Sequence, residues 1–297
     1  MQAGNKIIFL FVLFVFILSS VAFAQIEDNL KRYTGKNGEG YVKPLINGIG
    51  VNTNRGWYQS AKIPVLGLRF RIGLVAMVAP VPDKDKTFMA TPEAPFSPRT
   101  PVEASTVVGS EESVVAAGDG GTIYPFPGGL NMNATAFAAP QVTIGFMGSE
   151  AIVRYISLEM GDSEVGKLSV FGLGVRHSIS QYLILFPVDI SVGAFWQKID
   201  VDDDLINITT LHYGVQASRG FGPLTLYGGL GFDNSSASVK YTFEDEVTKQ
   251  QIEFDVDGDN GFEITTGLGF NMLIIHLSAE AAFGVRTAFA LNLSFGL

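Results

Sequence analysis

The sequence contains no cysteine. A disulfide framework, a thiolate metal site and a cysteine nucleophile are thereby excluded. Charge is also scarce: Asp, Glu, Lys and Arg make up 16% of the chain, against about 25% in an average soluble domain. The formal net charge is -9 and no dense run of Lys or Arg occurs, so the basic footprint of a nucleic-acid binder is missing. There are 3 histidines, His177, His212 and His276, and their spacing fits no zinc motif. No GxSxG elbow is present, and His177-Ser178 would face opposite ways on a strand. The acidic run D255-V-D-G-D259 invites a calcium reading, but an EF-hand loop begun there needs Glu where Thr266 stands. D83-K-D85 and D202-D-D204 read as solvated loop charge. We expect no enzyme activity, no cofactor and no metal.

What is present is apolar alternation. Hydrophobic residues are 47% of the chain, with 34 Gly and 23 Phe. The last residues, R-T-A-F-A-L-N-L-S-F-G-L, place Phe289, Leu291, Leu293, Phe295 and Leu297 on one parity. Ala288, Ala290, Asn292, Ser294 and Gly296 take the other. Successive strand side chains point to opposite faces, so one face is greasy and one is small or mildly polar. A soluble sandwich would carry more Lys and Glu on its second face. A crowded barrel lumen would carry this composition.

Residues 1–24 read as a secretory signal: Lys6, the apolar run Ile7 to Leu18, then A22-F-A24, with cleavage after Ala24. Residues 25–61 form a lead-in or plug, with helical pieces expected near 26–33 and 40–49. From residue 62 the chain reads as barrel, with strands at 66–79, 141–147, 150–158, 166–178, 187–199, 205–218, 222–234, 261–270, 273–283 and 286–296. A charged stretch at 235–256 looks like a hairpin beyond the apolar zone, or two further strands. Residues 80–140, rich in Pro, Gly and Thr, form one long loop or lid that could hold short strands or a small helix near Val114. Short and long connections alternate, as in an outer-membrane barrel with two unlike ends. The expected fold is all-β: a closed antiparallel transmembrane barrel of about ten strands, twelve being possible, with a short helical N-terminal segment. Closure pairs the last strand with 66–79, because an open edge in lipid leaves backbone groups unpaired.

The lumen parity carries Arg69, Arg71, Asp189, His212, Glu263, His276 and Glu280. Charges inside a narrow barrel need partners, so these read as a salt-bridged interior or a polar constriction for a solute. Arg154 and Arg176 are further candidates. Trp57 and Tyr58 are expected at the periplasmic end, lining an exit or pinning the lead-in.

The runs Y41-V-K-P-L-I-N-G-I-G, G56-W-Y-Q-S-A-K62, V81-P-D-K-D-K-T-F88, P140-Q-V-T-I-G145, E150-A-I-V-R-Y155 and F171-G-L-G-V-R-H-S-I-S180, with the ending A290-L-N-L-S-F-G-L297, carry a family likeness. The chain resembles a family of uncharacterised Bacteroidota outer-membrane β-barrel proteins, a domain of unknown function. In layout it is distantly similar to fatty-acid transport barrels, in which an N-terminal segment enters the lumen. The resemblance implies a Gram-negative outer membrane as the destination. It implies outer-membrane lipid, barrel-assembly machinery and periplasmic chaperones as partners, and a small hydrophobic ligand. The functional expectation is passage or binding of a small apolar solute. The alternatives are a structural or surface-interaction barrel with a packed lumen, and a secreted soluble β-sandwich.

Overall fold

The computed structural model describes residues 26, 28–33, 35–159, 167–183, 186–201, 205–244, 249–259 and 261–297. The signal segment 1–24, the GDSE loop at 161–164 and Asp202 to Asp204 lie outside the described residues. In chain order the elements are α1 (Gly35–Thr53), β1 (Arg69–Pro80), β2 (Thr87–Ala90), β3 (Val102–Ser105), β4 (Val114–Ala117) and β5 (Ile123–Phe126). There follow β6 (Ala134–Phe146), β7 (Ser149–Glu159), β8 (Lys167–Ser178), β9 (Asp189–Val201) and β10 (Ile206–Phe221). The last are β11 (Leu224–Glu244), β12 (Lys249–Asp257), β13 (Phe262–Met272), β14 (Ile275–Phe283) and β15 (Thr287–Gly296).

One 11-stranded antiparallel sheet contains β1 and β6 to β15, and the β10–β11 pairing closes it on itself. The strand β12 pairs only with residues 236–244 of β11, while residues 224–232 of β11 pair with β13. Ten strands therefore make the wall, and the β11–β12 hairpin rises beyond it, where the charged 235–256 stretch was expected to lie. The ends of the chain meet as anticipated: β1 pairs with β15 from Arg71↔Gly296 to Val78↔Phe289.

Alternation decides what each face meets. Outward residues form an apolar belt around the wall, with Leu291 63%, Leu230 55%, Leu268 53% and Tyr155 60% exposed. Water offers no reason to display such a belt on a closed sheet. A bilayer does, since an apolar band about 25 Å tall with every backbone group paired is what lipid requires. The protein is an outer-membrane β-barrel of a Gram-negative cell, surrounded by outer-membrane lipid.

The two rims differ as the turns predict. Beside the first residues of β1 and the last of β15 lie tight turns, among them Met147 and Gly148, with φ of 52° and 71°. Two positive φ values suit the right-handed twist of a two-residue hairpin. This is the periplasmic rim. The opposite rim carries the long connections and is the outer one. There, residues 81–133 fold over the barrel as two small hairpins, β2–β3 and β4–β5. Val114 opens a strand, not the small helix considered for it, and the wall strand β6 begins at Ala134, inside the stretch expected to be loop.

The lead-in enters the lumen. Gly35, Gly38, Gly40, Gly48 and Gly50 and the internal Pro44 make α1 a poor helix by propensity. Packing stabilises it instead: a Cβ on Gly48 would sit 2.8 Å from the Thr135 side chain. Tyr41 near the start of α1 donates its hydroxyl to Gly128 O of the outer loop (3.0 Å). Thr53 at its end accepts from Arg154 Nη1 (2.9 Å) inside the barrel. Further on, Ala61 N donates to Ser218 Oγ (2.9 Å), and Pro64 O accepts from Gly148 N (2.9 Å) at the periplasmic rim. The segment thus threads the whole lumen from the outer end before β1 turns back upward.

Candidate functional site

Inward side chains of several strands converge on the lead-in at two levels. At mid-lumen, Arg55 lies between Asp233 of β11 and Glu263 of β13 and pairs with both through separate guanidinium nitrogens. His212 of β10 donates from Nδ1 to Asp233 Oδ1 (2.8 Å), with Glu263 Oε1 at 3.4 Å. Glu280 of β14 accepts from Gly56 N at 3.0 Å through Oε1, and its buried Oε2 has no hydrogen-bond partner. The ligand atoms of His212, Asp233 and Glu263 lie within 4.8 Å of one another, a spacing that could hold a metal ion. The same two carboxylates already pair with Arg55 through their other oxygens.

Arg154, fully buried, supports the other side of the lead-in. It donates to Thr53 O (2.9 Å), Arg55 O (2.6 Å) and Gln141 Oε1 (2.8 Å), and its guanidinium lies 3.7 Å from the centre of the Trp57 ring. A cation that bonds the last carbonyl of α1 sits where the helix dipole favours it. Trp57 is stacked on Phe195 at 5.0 Å. The wall makes room for the indole with glycine: a Cβ on Gly172 would lie 2.9 Å from Trp57. Tyr58 packs edge-on against Tyr227, with ring centres 5.6 Å apart. Both line a small cavity at the periplasmic level of the lumen. Both are buried inside the lumen, where they pin the lead-in, because the segment that carries them runs through the barrel instead of stopping at its mouth.

At the periplasmic level Arg69 and Arg176 share Glu150, at 2.8 Å and 2.6 Å. Arg71 reaches Gln59 Oε1 at 3.3 Å. His276 Nδ1 lies 2.7 Å from Asn271 Oδ1. Asp189 shares the lumen parity of β9 but opens that strand at the rim, half-buried, and joins neither group. The seven residues named from parity therefore divide: His212, Glu263 and Glu280 at mid-lumen, Arg69, Arg71 and His276 near the periplasm, and Asp189 apart from both. Asp233 and Glu150 escaped notice although each alternates with outward apolar neighbours, in L230-G-F-D233 and E150-A-I-V153. Arg55 carried no such signal, since the lead-in has no period of two.

One feature of the wall is irregular. The β6–β7 ladder runs from Phe146↔Ser149 only to Gln141↔Arg154, although β6 continues back to Ala134 and β7 on to Glu159. Pro140, the next residue, has no N–H to donate. Above it no ladder pairing joins the two strands. Asn52 of α1 donates to the Thr135 carbonyl on the freed length of β6 (2.7 Å). The space is apolar: buried Ala138 belongs to one cluster with Phe137, Ile156 and Leu158 packed against it.

Several solved structures of outer-membrane proteins are similar to the chain at low identity. The outer membrane protease OmpT of Escherichia coli is 9% identical, with 80% of this chain and 98% of that one covered and a TM-score of 0.35. A loop-deletion mutant of the outer membrane protein OmpT of Vibrio cholerae is 11% identical, covering 78% and 99%, with a TM-score of 0.25. The N-terminal β-barrel domain of Pseudomonas aeruginosa OprF is 12% identical, covering 50% and 98%, with a TM-score of 0.23. At such scores none of them bears on what this chain does. No curated protein matches the sequence. The model of one family spans residues 4–297, and the chain belongs to it: the family of unknown function DUF6588.

Proposed function

We propose that the protein is a plugged outer-membrane barrel that passes a small apolar solute sideways, between its lumen and the membrane, at the β6–β7 seam. The observation that carries the reading is the ladder that ends at Gln141↔Arg154 within the apolar belt. Unpaired backbone in lipid costs several kcal/mol per group, so a parted pair of strands there calls for a reason. Apolar side chains of both strands, Ala138, Phe137, Ile156 and Leu158, meet one cluster beside the seam, and Asn52 ties β6 to the plug, so movement of α1 would free it. The role is binding and passage, not catalysis. The family likeness in the sequence, to Bacteroidota barrels and distantly to the layout of fatty-acid transport barrels, agrees with this. Insertion by the barrel-assembly machinery, after periplasmic chaperones have held the chain, belongs to the same reading.

A second reading has its own support. The lumen is filled at mid-height by Arg55, Asp233, Glu263, His212 and Arg154, which suits a structural or surface-interaction barrel whose outer loops do the work.

A crosslink separates the two. Continuing the register past Gln141↔Arg154 sets Ala138 opposite Ser157. The chain has no cysteine, so Ala138→Cys with Ser157→Cys introduces the sole thiols. Entry of an apolar fluorescent dye into cells should rise with the reduced protein, fall to background when the pair is joined by oxidant or a short bis-thiol reagent, and return on reduction. Dye entry that is indifferent to the protein, or to the crosslink, would leave the surface-interaction reading standing.

A further inference from the structure

The periplasmic level of the lumen holds an imbalance that the mid-lumen cluster does not. Three guanidiniums, Arg69, Arg71 and Arg176, face one carboxylate, Glu150. Both oxygens of Glu150 are engaged, Oε2 by Arg69 and Oε1 by Arg176. Arg71 is left with a neutral acceptor, Gln59 Oε1, at 3.3 Å. Arg71 Nε and Arg176 Nε are buried without any acceptor. A guanidinium withdrawn from water is costly unless its donors and its charge are met.

These groups surround a cavity of about 20 Å³, which is also lined by Trp57, Tyr58 and Ser294. One water needs roughly 10–15 Å³ of such space, so the cavity admits little more than a water. A tetrahedral phosphate is too bulky. One oxygen of a carboxylate fills such a space, and the planar fork of an arginine at its edge matches the spacing and direction of a carboxylate's oxygen pair.

We propose that this cavity is a binding site for the carboxylate group of a small anion entering from the periplasmic mouth, with Arg71 as the anchoring residue. The site borders the lower end of the β6–β7 seam at Gln141, but it does not depend on lateral passage. The carboxylate has two sources: a free small acid, or the head of an amphiphile whose tail stays outside the cavity.

The test uses Trp57 as its reporter. The chain has 2 tryptophans, so Trp196→Phe in the full-length protein, in neutral detergent, leaves Trp57 alone. Formate and octanoate are titrated at fixed ionic strength. A saturable change in Trp57 emission is expected, weakened roughly tenfold by Arg71→Gln and less by Arg71→Lys, which keeps the charge but loses the fork. Heat-modifiable migration shows that each barrel is intact. A formate response identifies the carboxylate alone as sufficient, and a response to octanoate alone identifies an amphiphile. No saturable response to either acid in the Trp196→Phe parent, or equal affinity in intact Arg71→Gln, overturns the proposal.

Discussion

Arg55 is the residue on which the mid-lumen arrangement turns. It is 1% exposed and meets two buried carboxylates at once. Replacing it leaves Asp233 and Glu263 facing each other with no guanidinium between them. Removing one member of a buried ionic group costs about 3–5 kcal/mol. Arg55→Ala should therefore lower the temperature at which the compact, heat-modifiable form converts to the unfolded one. Arg55→Lys should fall between, since a single ammonium cannot bridge both carboxylates with fork geometry. An unchanged conversion temperature in Arg55→Ala would mean that water already reaches the cluster. At this scale the sequence disclosed faces but not heights. Alternation placed His212, Glu263 and Glu280 inward, and the same rule applied to L230-G-F-D233 would have added Asp233. It could not show that Asp189 stops at the rim, or that Arg55 meets residues from three strands, because height depends on register and on where the lead-in runs.

Among the elements, α1 and the outer loops behave as a small soluble core set on top of a membrane barrel. The Tyr33 and Tyr41 rings lie tilted against each other with centres 4.9 Å apart, and both belong to the apolar cluster that joins α1 to residues 81–133. Burial pushes both phenols up, Tyr41 from an ordinary value of 10.0 to about 12. The folded state holds the neutral phenol, so the stabilisation is complete below the unfolded value and is lost as pH rises through the folded one. Between about pH 10 and pH 12 the outer cap should loosen, and residues 81–133 should become open to protease. Tyr41→Phe should remove its share of that alkaline transition, seen as a difference in phenolate absorbance between variant and parent. Tyr41 titrating at the ordinary value would show that the cap is hydrated. The wall strands were legible because a period of two over ten or more residues is a strong signal. The cap was not: its four strands have four residues each. The boundaries of α1 were hidden by glycines and a proline that only tertiary packing overrules.

On the scale of the whole molecule, a ten-strand barrel with a polypeptide threaded through it should not behave as a pore. Arg55 fastens the segment to β11 and β13, Arg154 to β7 and Trp57, and Ala61 to β10. Each tie meets a different part of the wall, so no single rotation of the plug releases them together. The full-length protein in a planar bilayer should show no steady conductance. Lateral passage as proposed needs only the last turn of α1, at Asn52, to shift at the seam, so dye entry and ion conductance should separate. Asn52→Ala, which removes the donor to the Thr135 carbonyl, should ease dye entry while the bilayer stays silent. Arg154→Ala, which frees the end of α1 from the wall, should bring brief openings, because the hydrogen bonds to Thr53 O and Arg55 O go together with the contact to Trp57. A steady current through the unmodified protein would show that the threaded segment leaves the lumen in a membrane, and the seam would then no longer be needed to explain how a solute crosses.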